Sequence, residues 1–259
     1  MTEPFRVLSL GWGVQSFTLA AMVALGELPP IDAAIHADTT HERAATYDFA
    51  ARWTPWLEER GARVVMVISR DAQTVKQVIS QWTDIPAYTA NGISNGQLRR
   101  QCTHHWKVTG IRRWLQANRD GRPVEQWLGI SWDESQRMKD SDVKYITHRW
   151  PLIEMRMTRQ DCAHWLQEHG LEVPPKSSCV FCPYHNRAAW HEMKVSGDGD
   201  WQKAVEVDEA IRKVRPPYDL FVHPARKPLA DIDMRTPQEK GQLELWANWD
   251  DECSGICGV

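Results

Sequence analysis

The feature that most restricts the fold of this chain is how it opens. Phe5 to Leu10 (FRVLSL) is an apolar run of strand length, and Gly11-Trp12-Gly13-Val14-Gln15 is a tight turn. Ser16 to Gly26 (SFTLAAMVALG) then reads as a helix stopped by Gly26, Pro29 and Pro30. The unit recurs. Ile31 to His36 (IDAAIH) predicts a second strand, followed by Asp38-Thr39-Thr40 and a helix from about Glu42 to Arg60. Arg63 to Ser69 (RVVMVIS) predicts a third, with a helix over Asp71 to Trp82. Strands alternating with helices pair in parallel through right-handed crossovers. The expected fold class is α/β, a doubly wound, mostly parallel sheet.

Thr83 to Gln101, with Pro86, Gly92, Asn95 and Gly96, reads as a long functional loop. His104 to Asn118 predicts a basic amphipathic helix, and Val124 to Ile130 (VEQWLGI) returns the chain to the sheet. A short strand near Lys144 to Arg149 precedes Trp150-Pro151-Leu152-Ile153, and from Thr158 onward the pattern is helical with loops. The expected organisation is an α/β domain over residues 1–155 and a smaller helical, cysteine-containing region over 156–259.

With 259 residues, 42% of them hydrophobic, the chain buries a core without help from disulfides. Most of its 14 Trp are expected to be packing anchors. A net charge of −3 excludes a surface that is basic throughout, so any nucleic-acid contact must be local. No run reaches the roughly 18 apolar residues of a membrane span. Met1 to Arg6 lacks the layout of a secretory signal, so the expected compartment is the cytoplasm and no membrane partner is expected. There, the six cysteines read as ligands, nucleophiles or buried thiols rather than disulfides.

In an open parallel sheet, ligands sit at the carboxyl ends of the strands, where the strand order reverses. Gly11 and Gly13 would let the backbone approach a phosphate at the start of the following helix, with Ser9 and Ser16 as hydroxyl donors. Alone, the same turn serves equally as a plain strand-to-helix connection.

Gly11 to Ser16 (GWGVQS) stands where pyrophosphatase-loop proteins carry S-G-G-x-D-S, and resembles still more the F-G-I-Q-A loop of the phosphoadenylyl sulfate (PAPS) reductases. Asp38-Thr39-Thr40 with Thr46-Tyr47-Asp48-Phe49 resembles that family's D-T-G and E-T-Y-x-F. Cys102 with Lys107 resembles its C-x-x-x-K, Gly129-Ile130 with Glu134 and Arg137 its G-x-R-x-x-x-S-x-x-R, and Trp150-Pro151-Leu152-Ile153 its P-I-x-x-W. The resemblance implies the adenine nucleotide alpha-hydrolase-like fold and binding of ATP or a sulfated adenine nucleotide. It implies Ser9, Gly11, Gly13, Gln15, Ser16, Asp38, Thr39, Lys107 and Gly129 as nucleotide-binding residues and Arg137 as catalytic. Trp12 replaces a family glycine, and Val14-Gln15 replaces the Lys-Asp pair of the ATP-splitting loop, so cleavage of ATP stays open.

Cys179-Val180-Phe181-Cys182-Pro183 is a C-x-x-C, which is half of a metal site or a redox pair. Cys102 precedes it at close to the separation at which related adenylyl sulfate reductases place the ligands of a 4Fe-4S cluster. The resemblance therefore implies a cluster on Cys102, Cys179 and Cys182, with Cys162 either the fourth ligand or a buried core thiol. Zinc is the rival metal, with His104, His105 and His185 as further ligands. At the C-terminus, Glu252-Cys253 with Gly255-Ile256 resembles the family's nucleophilic E-C-G-[IL]-H tail, which implies Cys253 as nucleophile and Cys257 as a resolving thiol. The alternative is a disordered tail.

Arg99, Arg100, Lys107, Arg112 and Arg113 surround Cys102 in sequence and suit a small anion, a nucleic-acid backbone or plain solvation. The expected function is nucleotide-dependent sulfur transfer to an acceptor, a nucleic-acid base among the candidates. The alternatives are reduction of adenylyl or phosphoadenylyl sulfate to sulfite, and a non-catalytic nucleotide sensor. A thiol or sulfur donor protein is the expected partner besides the nucleotide itself.

Overall fold

A computed structural model describes residues 3–68, 84–236 and 238–240. Its strands are β1 (Phe5–Ser9), β2 (Ala33–Asp38), β3 (Val64–Ile68), β4 (Tyr88–Ala90), β5 (Asn95–Gln97), β6 (Val124–Trp127), β7 (Ile146–Arg149) and β8 (Asp219–Phe221). Its α-helices are α1 (Val14–Ala24), α2 (Ala44–Glu58), α3 (Thr109–Asn118), α4 (Pro151–Glu154), α5 (Arg159–Glu168), α6 (Arg187–Ser196) and α7 (Asp200–Ile211). The helix expected over 71–82, and Cys253 and Cys257, lie outside the described residues.

The chain divides into two compact units, one built from residues 3–68 and 106–177, the other from 84–105 and 178–236 with 238–240. The boundary expected after residue 155 is therefore corrected. Residues 156–177 stay with the first unit because α5 presses Cys162 and Leu166 into its core, where the Thr18 hydroxyl also donates to the Cys162 carbonyl at 3.4 Å.

The first unit is a five-stranded sheet in the order β3-β2-β1-β6-β7, every pairing parallel. Side chains alternate across the pleat. Phe5, Val7, Ala33, Ile35, Val124 and Ile146 bury one face against Ile111 and Leu115 of α3. Leu8, Ala34 and Trp127 bury the other against Phe17 and Leu19 of α1, Phe49 and Leu57 of α2, and Leu166 of α5. Helices on both faces of a parallel sheet make this the expected doubly wound α/β fold. The second core is strongly aromatic: Phe17 meets Phe49 edge-on at 4.9 Å and Trp53 at 5.4 Å, and Trp12 meets Phe49 at 6.3 Å. Such pairs add about 0.5–1.5 kcal/mol each beyond the area they bury.

The second unit holds a small antiparallel sheet, β5-β4-β8, together with α6 and α7. Its centre is Asp208 on α7, wholly buried, which pairs with Arg212 and accepts from the backbone N–H of Val222 and Leu229, both at 2.9 Å. A buried carboxylate satisfied by two amides and a guanidinium ties β8 and the following turn to the helix. The β4–β5 hairpin lies within the segment from Thr83 to Gln101 that the sequence predicts as a long functional loop. Three-residue strands are too short to show a period in sequence. Among the described residues no helix is long and apolar enough to cross a membrane.

Candidate functional site

The sheet order reverses between β1 and β6, so the loops after these two strands face each other across the switch point. After β1 comes Leu10-Gly11-Trp12-Gly13, and Gly13 begins α1 in an extended conformation with no side-chain cap and no acidic residue in the first turn. The N–H groups there, and the positive end of the helix dipole, are left for an external acceptor.

After β6 comes Gly129, whose absent side chain is required by packing. A Cβ there would lie 2.9 Å from the Ser16 amide nitrogen and 3.0 Å from its Cα. The backbone of this loop thus rests directly on the first turn of α1.

Several expected ligands have structural duties. The Ser16 hydroxyl accepts from the Gly11 N–H at 3.1 Å and donates to the Gly13 carbonyl at 3.3 Å, bracing the turn from inside. Ser9 accepts from the Gln126 amide at 2.8 Å. Gln15 spans the switch point: its amide NH2 donates to Glu134 at 3.1 Å and Ser131 at 3.4 Å, and its carbonyl accepts from Arg159 at 3.2 Å. Arg137 pairs with Glu134 at 2.7 Å, which joins the expected catalytic arginine to the same network.

Neither Gly11 nor Gly13 has a left-handed backbone. That conformation belongs to Trp12, with φ of 57°. A bulky residue there is strained by about 1–3 kcal/mol, offset by burying the indole to 1% exposure against Phe17, His36 and Phe49. Thr40, which stands at the glycine of the D-T-G pattern, is likewise left-handed, with φ of 62°, and its N–H donates to Asp38 at 2.7 Å. The turns keep the shape that glycine would favour and fill it with other residues.

At the carboxyl end of β2 the residues are polar and almost fully buried. Asp38 accepts from the Tyr47 hydroxyl at 2.7 Å. Burial, followed by the bond to Asp38, raises the Tyr47 pKa far above its usual value and keeps the phenol protonated. Burial lowers the His36 pKa below 6.5, and its Nδ1 lies 3.0 Å from the Leu10 carbonyl.

Glu42, its side chain wholly buried, pairs with Lys107 at 3.1 Å and accepts from Ser177 and Thr39, each at 3.4 Å. Lys107, on the π-helical turn Thr103–Val108, is thereby held with its ammonium group partly exposed. The sequence reading missed Glu42, Ser131, Arg159 and Ser177 as members of this constellation. Glu42 was visible within the segment after β2, while nothing local marked Arg159. Chemically, an acid-free helix start, a fixed lysine and a guanidinium pair suit an anionic, phosphate-bearing ligand.

The cysteines divide. Cys162 is fully buried in the first unit, where burial pushes its pKa up to about 12. There it packs among apolar side chains, as expected of a buried core thiol, one of the two readings of its sequence position.

Cys102, Cys179 and Cys182 belong to the second unit and are partly exposed. The C-x-x-C is wound into a turn: the Cys182 N–H donates to the Cys179 carbonyl at 3.0 Å, and His185 Nε2 lies 2.9 Å from that same carbonyl. Burial raises the Tyr184 pKa above its usual value, and the Arg100 guanidinium beside it works in the opposite direction. Asp84 organises the Cys102 segment, accepting from its N–H at 3.0 Å and pairing with His105 at 2.8 Å.

Among the described residues, however, no group of three or more His, Cys, Asp or Glu side chains is placed to hold a metal ion.

No family model and no curated protein matches this chain. Solved structures do. One is a crystal structure of phosphoadenylyl-sulfate (PAPS) reductase from Candida auris in a phosphate complex, 13% identical, with 67% of this chain and 76% of that chain covered at a TM-score of 0.47.

Proposed function

We propose that this chain is a PAPS reductase-like enzyme that binds an adenine nucleotide at the carboxyl edge of the first unit's sheet and uses cysteine thiols for sulfur chemistry. The observation that carries the nucleotide half is the switch point itself: an uncapped helix start beneath Gly11 and Gly13, with Gly129 packed against it. Lys107, held by buried Glu42, and Arg137 and Arg159, held around Gln15, supply the positive charge for the phosphates. The reaction class is nucleotide-dependent transfer of sulfur to an acceptor, with a nucleic-acid base as the acceptor and Cys102, Cys179 and Cys182 as the thiols of the described chain.

The test is direct. Full-length protein purified without oxygen is titrated calorimetrically with ATP, adenylyl sulfate and phosphoadenylyl sulfate, and its products are assayed. Saturable binding that is weakened in Lys107→Ala supports the assignment, and no binding of any of the three refutes it. Sulfite release that disappears in Cys253→Ser would replace sulfur transfer with sulfonucleotide reduction. Tight binding with no turnover of any acceptor would make the chain a nucleotide sensor.

A further inference from the structure

The second unit contains a cleft of about 230 Å³ between the β4–β5 hairpin and the turn Arg215–Tyr218. Its lining mixes apolar surface with the hydrogen-bonding residues Thr89, Ser94, Asn95, Gln97, Arg215 and Tyr218, and among the described residues it includes no carboxylate. Among the described residues the Arg215 side chain has no hydrogen-bond or ion-pair partner.

The walls are held rigidly. Asn91 Oδ1 accepts from the N–H of Ile93 at 2.9 Å and of Ser94 at 2.7 Å, which fixes the hairpin tip. Arg226 donates to the Thr89 carbonyl at 3.2 Å and the Gly96 carbonyl at 3.3 Å, which binds the two strands together. At the tip, Ile93 is 95% exposed.

We propose that this cleft binds one nucleotide unit of a single-stranded nucleic acid. A guanidinium with no partner among the described residues, in a lining whose described residues include no carboxylate, selects an anion, and Arg215 takes the phosphate. Carboxamides are side chains that hydrogen-bond base edges: Asn95 supplies one and Gln97, whose Nε2 also donates to the Pro86 carbonyl at 2.9 Å, a second, and Tyr218 offers a ring for stacking. The cleft is smaller than the roughly 300 Å³ at which pockets for whole small molecules begin, so it suits one unit of a longer ligand. Ile93, outside the cleft, is placed to wedge between neighbouring bases of that strand, as apolar side chains do when they unstack nucleic acid. The proposal rests on the reading that the sulfur acceptor is a nucleic-acid base, and it places the acceptor's docking surface on the second unit.

The experiment is fluorescence anisotropy of the full-length protein with a labelled mixed-sequence single strand, DNA in one arm and RNA in the other, across a range of salt. Wild type is expected to bind at least one strand. Arg215→Ala should weaken binding by about tenfold and reduce the salt slope by about one, and Tyr218→Ala should weaken it by about tenfold. An unchanged thermal midpoint in each variant shows that the fold is kept.

Failure of wild type to bind either strand overturns the proposal, as does an Arg215→Glu variant that binds like wild type. So does Arg215-dependent binding of free adenosine monophosphate without binding of a strand. A parallel ATP titration separates the two readings: Arg215→Glu should leave ATP affinity unchanged. Loss of ATP binding in wild type would remove the first unit's nucleotide site and leave the strand site standing.

Discussion

Replacing Gly129 by alanine tests the switch point at its tightest contact. The added methyl would sit 2.9 Å from the Ser16 amide nitrogen, 3.0 Å from its Cα and 3.2 Å from its Cβ. These are backbone atoms or their direct attachment on the first turn of α1, so no flexible side chain can yield, and the loop after β6 or the helix start must move. Overpacking of this kind costs about 1–3 kcal/mol. For a chain of this size, about 2 kcal/mol lowers the thermal midpoint by roughly 4–8 °C.

The displacement also has a chemical consequence, because Ser16 braces Gly11 and Gly13 at 3.1 and 3.3 Å. A shift of even 1 Å in positioning groups can cost about a hundredfold. Nucleotide affinity should therefore fall by about tenfold or more.

Gly11→Ala is the control: its added methyl would meet only the Ser16 hydroxyl, at 3.8 Å. It should leave the midpoint unchanged while weakening nucleotide binding, since the methyl enters the space assigned to phosphate. The measurements are differential scanning calorimetry and a calorimetric ATP titration on both variants. A Gly129→Ala protein as stable as wild type would show that the loop and helix are not in contact. A Gly11→Ala protein with wild-type affinity would show that the turn does not hold the nucleotide.

Trp12→Ala should destabilise the protein by about 3–5 kcal/mol in urea denaturation, because it empties an aromatic core site, and Trp12→Gly should recover part of that loss by relieving the left-handed backbone. His36, lowered by burial, and His223, lowered by burial and then Arg187, both bind protons more readily when unfolded. The stability they confer is present above pH 6.5 and lost as the pH falls below it. The urea midpoint should therefore fall between neutral and mildly acidic pH, and His36→Gln should flatten that fall. Cys162, with its pKa pushed up to about 12, should resist iodoacetamide in the native state while Cys102, Cys179 and Cys182 react, as peptide mass spectrometry would show.

The sequence by itself determined the α/β class, because apolar runs of strand length separated by helix-length segments admit little besides a doubly wound parallel sheet. It also marked Gly11 to Ser16 as a strand-to-helix turn, a local signal, whereas Gly129 was singled out only by the family resemblance. It placed the second strand two residues early, ending at His36 where β2 runs on to Asp38.

Other features were decided only by tertiary structure. Strand β8 depends on pairing with β4, more than a hundred residues earlier, as with Thr89 opposite Leu220. Cys162 has the spacing of either a ligand or a core residue, and its burial in the core of the first unit comes only from the packing of α5 against α1. Glu42 and Lys107, and Gln15 with Arg159, become partners because the sheet order folds distant strand ends onto one edge. Periodicity encodes which face of an element is apolar, whereas a site built from several elements exists only once their order in the sheet is fixed.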